Sequence, residues 1–283
     1  MAVPMVHRVN RDALIRQQGN ASFTREMLQF ITPDIVQHRD DFLGAMTIAN
    51  KGYIRMKDAT GGSLPVLPST LTVNGDVDFV TGATDDGYSA MATGLQYRGD
   101  LSAVFMAAIK VNTITLVKIE VGFHDATGTD GSTATDLGAI NVLATPSANA
   151  TDFAGWVLDP DDTGNAGWQA VGVKNGTIAT KVEPTNIGNV DGDALPNAAD
   201  YDVLIVALRE NDARFYRGDM VDVDGNDNEK RLTLTYDSGW QADFITSSVL
   251  LSPWIFVQAR SAATRTASVD FWRSYQFRYA EEI

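Results

Sequence analysis

The chain contains no cysteine, so disulfides and thiolate metal sites are excluded outright. It has three histidines, His7, His38 and His124, set far apart and in no ligand spacing. Basic residues are scarce: 22 Lys and Arg stand against 36 Asp and Glu, for a formal charge of −14. Such a field repels free nucleic acid, so sequence-independent DNA or RNA binding is not expected. Long apolar runs are also missing. In the C-terminal half the longest is Val203 to Leu208, far too short to span a bilayer. Met1 to Met5 is not followed by a long apolar stretch, so no secretory leader and no membrane partner are expected. Helical periodicity is nearly absent beyond the first forty residues.

What is present is strand after strand. The last eighty residues carry the clearest pattern, LLSPWIFVQARSAATRTASVDFWRSYQFRY from Leu250 to Tyr279. Val269, Phe271, Tyr275, Phe277 and Tyr279 fall on one face at a period of two, with Arg273 the exception. Ser268, Asp270, Ser274, Gln276 and Arg278 fall on the other, joined by Trp272, as a half-buried antiparallel strand requires. Leu101 to Val111 and Ile114 to Phe123 are apolar on both faces, as expected at the centre of a sandwich. Tyr201 to Arg209 reads as another central strand. Asn74-Gly75, Asn175-Gly176 and Gly218-Asp219 read as hairpin dipeptides, and Asp237-Ser238-Gly239 as a turn. About a dozen strands spaced near ten residues apart predict an all-β, antiparallel sandwich or jelly roll over residues 40–283. A chain of 283 residues can bury a core for such a domain without staples.

Residues 1–39 differ. Five arginines (Arg8, Arg11, Arg16, Arg25, Arg39) face Asp12, Glu26 and Asp34, so the segment is slightly basic on an acidic chain. Asn10 could cap a helix through Gln18, and Ser22 a second through Ile31, ended before Pro33. This is a short, partly helical N-terminal arm. It either lies on its own sandwich or docks on a neighbour, through Arg8, Arg11, Leu14, Arg16, Met27, Phe30 and Ile31.

Three stretches resemble the concanavalin A-like (laminin-G-like) jelly roll. They are Leu101 to Asp125, ending Gly122-Phe123-His124-Asp125; Tyr201 to Val223, with Arg214-Phe215-Tyr216-Arg217-Gly218-Asp219; and Pro253 to Tyr279, with Trp254-Ile255-Phe256-Val257-Gln258 and Val269-Asp270-Phe271-Trp272. Within that superfamily the wording is most similar to tailed-bacteriophage virion proteins. The arm, the Asp40-Asp41-Phe42-Leu43-Gly44 entry, Gly155-Trp156-Val157 and Gly167 to Lys174 carry that resemblance. It implies a non-enzymatic decoration or cement protein on the capsid surface, made in the host cytoplasm. Its partners would be the major capsid protein or other virion subunits, with itself as a dimer or trimer. The alternative it implies is a glycan-binding module of a head or tail fibre, and less so a polysaccharide hydrolase.

The residues bear on these readings directly. Hydrolases of this fold align carboxylates as E-x-D-x-x-E on one strand, and a retaining mechanism needs two carboxyls roughly 5 Å apart. Glu120 sits at the comparable place, but Gly122 and Asp125 follow at the wrong steps. It reads as a paired or rim residue. Asp222, Asp224 and Asp227 crowd one loop with Asp219, Asn226 and Glu229, a density of oxygen that admits calcium, though no EF-hand register fits. Asp159-Asp161-Asp162 and Asp191-Asp193 are similar acidic turns, and each also reads as a solvated loop. Of the five tryptophans, Trp156, Trp168, Trp240, Trp254 and Trp272, most are expected in the core, with a sugar-stacking platform as the other reading.

Overall fold

The computed structural model describes residues 35–40, 42, 52–59, 61–66, 75–133, 138–143, 147–161, 167–179, 182, 196, 200–222 and 230–277. The predicted arm helices, and most of the arm, lie outside these residues.

The expected sandwich forms. Its strands are β1 (Ile35–Asp40), β2 (Ile54–Lys57), β3 (Val77–Val80), β4 (Tyr88–Ala92), β5 (Val104–Val111), β6 (Val117–His124), β7 (Ser132–Thr133), β8 (Ile140–Val142), β9 (Ser147–Ala148), β10 (Phe153–Leu158), β11 (Gln169–Lys174), β12 (Thr177–Ile178), β13 (Asp202–Arg209), β14 (Asp212–Asp222), β15 (Lys230–Gln241), β16 (Ser252–Ala259) and β17 (Thr266–Phe277). One sheet has seven strands in the order β1-β17-β5-β13-β14-β15, with β3 also on β17. The other has eight, β12-β11-β10-β6-β16-β4-β2-β7, and β8-β9 form a small separate ribbon. Among the described residues only the β2–β7 pair is parallel. Chain-distant strands lie side by side, so the chain crosses repeatedly between the layers.

The main core fills the space between the sheets. Val117, Ile119, Val121 and Phe123 of β6 face it from one side, and Phe105, Ala107, Ile109 and Val111 of β5 from the other. Trp156, Trp168 and Trp272 lie within it, fully buried. One polar network also crosses the core. Asp202 accepts hydrogen bonds from the Trp168 indole (3.0 Å) and from Arg217 Nε and Nη2 (3.1 and 2.8 Å). Burial pushes the Asp202 carboxyl above its ordinary pKa, against the pull of Arg217 and Trp168.

Four sequence expectations are corrected here. The strand at Ile35–Asp40 pairs with β17 along its length, so the sheet takes in residues before 40. Gly218-Asp219 is no hairpin: β14 runs unbroken from Asp212 to Asp222. A Cβ on Gly218 would stand 2.5 Å from the Thr233 carbonyl, so the glycine serves a close approach of β15 beside a register shift. Asp237-Ser238-Gly239 likewise lies inside β15, at a second shift, where Gly239 takes φ +65°. Finally, β17 does not keep one face throughout. Val269 pairs with Ile109 and Phe271 with Ala108, leaving Asp270 as an extra bulged residue. The alternation flips there. Val269 and Trp272 enter the core between the sheets, and Phe271 points out of the sandwich.

Candidate functional site

The outer face of the eight-stranded sheet holds Glu120, the carboxylate that the sequence weighed as a catalytic acid. Alternation along β6 sends Val117, Ile119, Val121 and Phe123 inward, so Lys118, Glu120, Gly122 and His124 point out. Cross-strand pairing sets Glu120 between Phe256 of β16 and Val157 of β10. Aromatic rings line the same face. Tyr88 stacks on Phe256 at 5.2 Å, Phe256 on Trp254 at 5.9 Å, and His124 approaches Trp254 at 4.9 Å.

This face is not open. The segment around β8 and β9 lies over it, with Ala139, Ile140, Leu143 and Ala150 packed against Phe153, Val157, Trp254 and Phe256. Glu120 fastens that cover. Its carboxylate accepts the backbone N–H groups of Ala139 (2.8 Å) and Ile140 (2.9 Å) and the Trp254 indole N–H (3.1 Å). Lys118 Nζ lies 3.0 Å from the same carboxylate and donates to the Ile140 carbonyl. Both side chains are essentially without solvent exposure. Burial alone would raise the Glu120 pKa; Lys118 and the two backbone N–H groups outweigh it and hold the carboxyl below its ordinary value. Glu120 is therefore an ionised, buried anion whose carboxylate, among the described residues, is held by Lys118, the Trp254 indole and the Ala139 and Ile140 amides.

The polar groups at the rim are tied in the same way. Arg260 grips Asp159 through Nε (3.3 Å) and Nη2 (2.8 Å) and donates to the Asn141 carbonyl. The acidic turn at Asp159 is thus neutralised by an arginine, and Asp162, Asp191 and Asp193 lie outside the described residues. His124 Nδ1 lies 2.7 Å from the Ala126 backbone nitrogen and 3.2 Å from Asp125 Oδ1. The other ring nitrogen, Nε2, is buried and has no hydrogen-bond partner among the described residues.

Of the residues the sequence singled out for calcium, Asp222 ends β14, and Asp224 and Asp227 lie outside the described residues. Among the described residues no three His, Asp or Glu side chains gather as a metal-binding group. The arm residues Arg8, Arg11, Leu14, Arg16, Met27, Phe30 and Ile31 also lie outside them. Trp156, Trp168, Trp254 and Trp272 are core, as most tryptophans were expected to be. Trp240 is the exception, 37% exposed on β15, with the Arg209 guanidinium 4.3 Å from its ring centre. The loop cover and its backbone grip on Glu120 left no signal in the sequence. Two amide N–H groups have no residue identity to read.

No family model matches this chain, and no curated protein does. Among solved structures it is similar to a protein of unknown function from Shewanella oneidensis MR-1. The identity is 12% and the TM-score 0.54, over 93% of this chain and 97% of that one. The likeness is one of fold, a large antiparallel β-sandwich. Lower-scoring likenesses include the CBM2 module of the evolved Dit of Lactobacillus casei BL23 phage J-1, at 13% identity and a TM-score of 0.45, over 88% of this chain and 99% of that one. Peanut lectin is another, at 9% identity and 0.49, over 86% and 97%. At these identities the likeness concerns the fold.

Proposed function

We propose that this chain is a non-enzymatic structural protein of a tailed-phage virion, decorating the capsid and held there by its N-terminal arm. The observation that carries the reading is the sealed face. The sheet surface that could have taken a ligand is filled by the protein's own loop, and Glu120 is spent on holding it. What remains to offer is surface and an arm. The resemblance of the arm, the Asp40 entry and the Trp156 and Trp168 segments to phage virion proteins supplies the setting.

Such a protein works by area and number. Each apolar side chain buried against the shell adds about 1.5–3 kcal/mol. Copies repeated over a lattice multiply weak contacts into firm attachment. Arg8, Arg11 and Arg16 would meet the capsid subunits, while the −14 body keeps free sandwiches apart. Co-sedimentation with capsids tests this. The full chain should pellet with capsids, and Arg8→Glu with Arg11→Glu and Arg16→Glu should stay in the supernatant. Unchanged pelleting of the triple variant overturns the arm mechanism.

One observation favours the glycan-binding alternative. Trp240 is half-exposed beside Arg209, and Arg214 forms a paired hydrogen bond with Asp237 next to it. An aromatic ring flanked by planar polar groups is the chemistry of saccharide stacking. A glycan array with and without calcium, read against Trp240→Ala, separates the two readings.

A further inference from the structure

The cover on the eight-stranded sheet hangs on side chains. Among the described residues, β8 and β9 form a ribbon of their own and share no ladder with either sheet. The backbone of 138–143 instead meets three long side chains of the sandwich. Glu120 accepts the Ala139 and Ile140 N–H groups, Lys118 donates to the Ile140 carbonyl, and Arg260 donates to the Asn141 carbonyl at 3.0 Å. The Asn149 and Ala150 N–H groups both donate to the Ala139 carbonyl, which ties the two halves of the ribbon together. A second acid fastens the far end. Asp125 Oδ2 accepts the Thr151 and Asp152 N–H groups at 3.1 and 3.0 Å. Asp125 follows directly on β6, so both carboxylates that grip the cover come from one strand and its end.

The charged neighbours of each grip are few. Glu120 faces Lys118 on its own strand, the Trp254 indole and Phe256 ring of β16, and uncharged Val157 of β10. Asp125 faces His124 at 3.2 Å and adjoins Asp152, whose carboxylate accepts the Thr246 N–H at 2.6 Å. Arg260 is ringed by Asp86, Asp159 and Asp161. The buried apolar side chains that the cover contributes are Ile140 and Leu143 with two alanines, Ala139 and Ala150. Beneath them run the Tyr88, Phe256 and Trp254 rings.

Against the opposing effect of burial, Lys118 and two amides hold the Glu120 carboxyl below its ordinary pKa, and His124 and two amides do the same for Asp125. Each therefore stabilises the closed cover above the usual carboxylate range, and that hold is lost as pH falls through the depressed values. Asp202 in the main core has the opposite sign. Burial holds its carboxyl above the ordinary value, so acidification does not weaken the sandwich there.

We propose that the described cover, residues 138–143 and 147–152, is an acid-released lid: in acid it lifts from β6 while both sheets stay folded, and it opens the Tyr88, Phe256 and Trp254 row as an apolar binding surface. The device goes beyond the capsid reading and does not rest on it.

Hydrogen exchange of the full-length protein, read by mass spectrometry and corrected for the intrinsic rate at each pH, tests the lid. Between pH 7 and pH 3, protection in peptides from 138–152 should fall about tenfold more than in β5 and β13. Over the same range an anilinonaphthalene sulfonate dye should brighten while the far-ultraviolet circular dichroism keeps its β-sheet form. Asp125→Asn should move the release towards neutral pH, and Glu120→Gln should move it further. The native-chain measurement stands even where a variant does not fold. A cover that stays protected until β5 and β13 lose protection would overturn the proposal, as would a folded Asp125→Asn protein whose release pH is unmoved. The measurement is made on free protein, so either result leaves capsid co-sedimentation as a separate score.

Discussion

The two outer faces of this sandwich have opposite characters. On the eight-stranded sheet, a loop is laid over aromatic rings and pinned by a buried ion pair. On the seven-stranded sheet, the apolar cluster has no described cover, and Leu234 and Trp240 at its β15 side are 52% and 37% exposed. The first face is closed around a buried ion pair, while on the second Leu234 and Trp240 stay in contact with solvent. The difference is one of polar content. Apolar side chains pack without regard to direction, but buried Glu120 and Lys118 demand partners for every lone pair and proton.

The comparison breaks most sharply at Glu120. Glu120→Ala leaves Lys118 buried and unpaired and frees two amide N–H groups, and should cost about 3–5 kcal/mol in urea unfolding. A cost below about 1 kcal/mol would show that the loop is held by apolar packing alone. Gly218→Ala should come next, at about 1–3 kcal/mol, because its Cβ would meet the Thr233 carbonyl at 2.5 Å. A smaller change would mean that β15 yields easily at this register shift. Leu234→Ser and Trp240→Ser on the open side should change stability least, by about 0.5 kcal/mol or less. If they match Glu120→Ala, the two faces are not different in kind.

Acidity sharpens the same contrast. The folded Glu120 carboxyl sits below its ordinary pKa, so its ionised form stabilises the fold above the usual glutamate range. That contribution is lost as pH falls through the depressed folded value. The stability gap between the native chain and Glu120→Gln should therefore be full at neutral pH and close in strong acid. Thermal melts across pH 7 to 2 read it directly. A gap that widens on acidification would reverse the assignment.

Much of the fold was legible because strands announce themselves by alternation and by the punctuation between them. β5, β6, β13 and β16 lie close to where their apolar runs place them. Errors arose where the same residue types serve two purposes. Gly218 and Gly239 look like turn residues, yet they sit at irregularities inside long strands. The bulge at Asp270 is invisible in composition, and it moves Phe271 to the outer face of the sheet and Trp272 into the core between the sheets. Of the site, the failure of the carboxylate motif at Glu120 was readable from Gly122 and Asp125. The loop that covers Glu120 was not, since it is held by backbone amides and small apolar residues that no spacing marks.

Cryo-electron microscopy of the particle that carries this chain tests the central claim most directly. The account predicts sandwiches on the capsid lattice, the loop-covered eight-stranded face toward solvent, and the N-terminal arm between sandwich and shell. Sandwiches at a tail tip, with the β8–β9 loop lifted from Glu120 and a saccharide in its place, would contradict it.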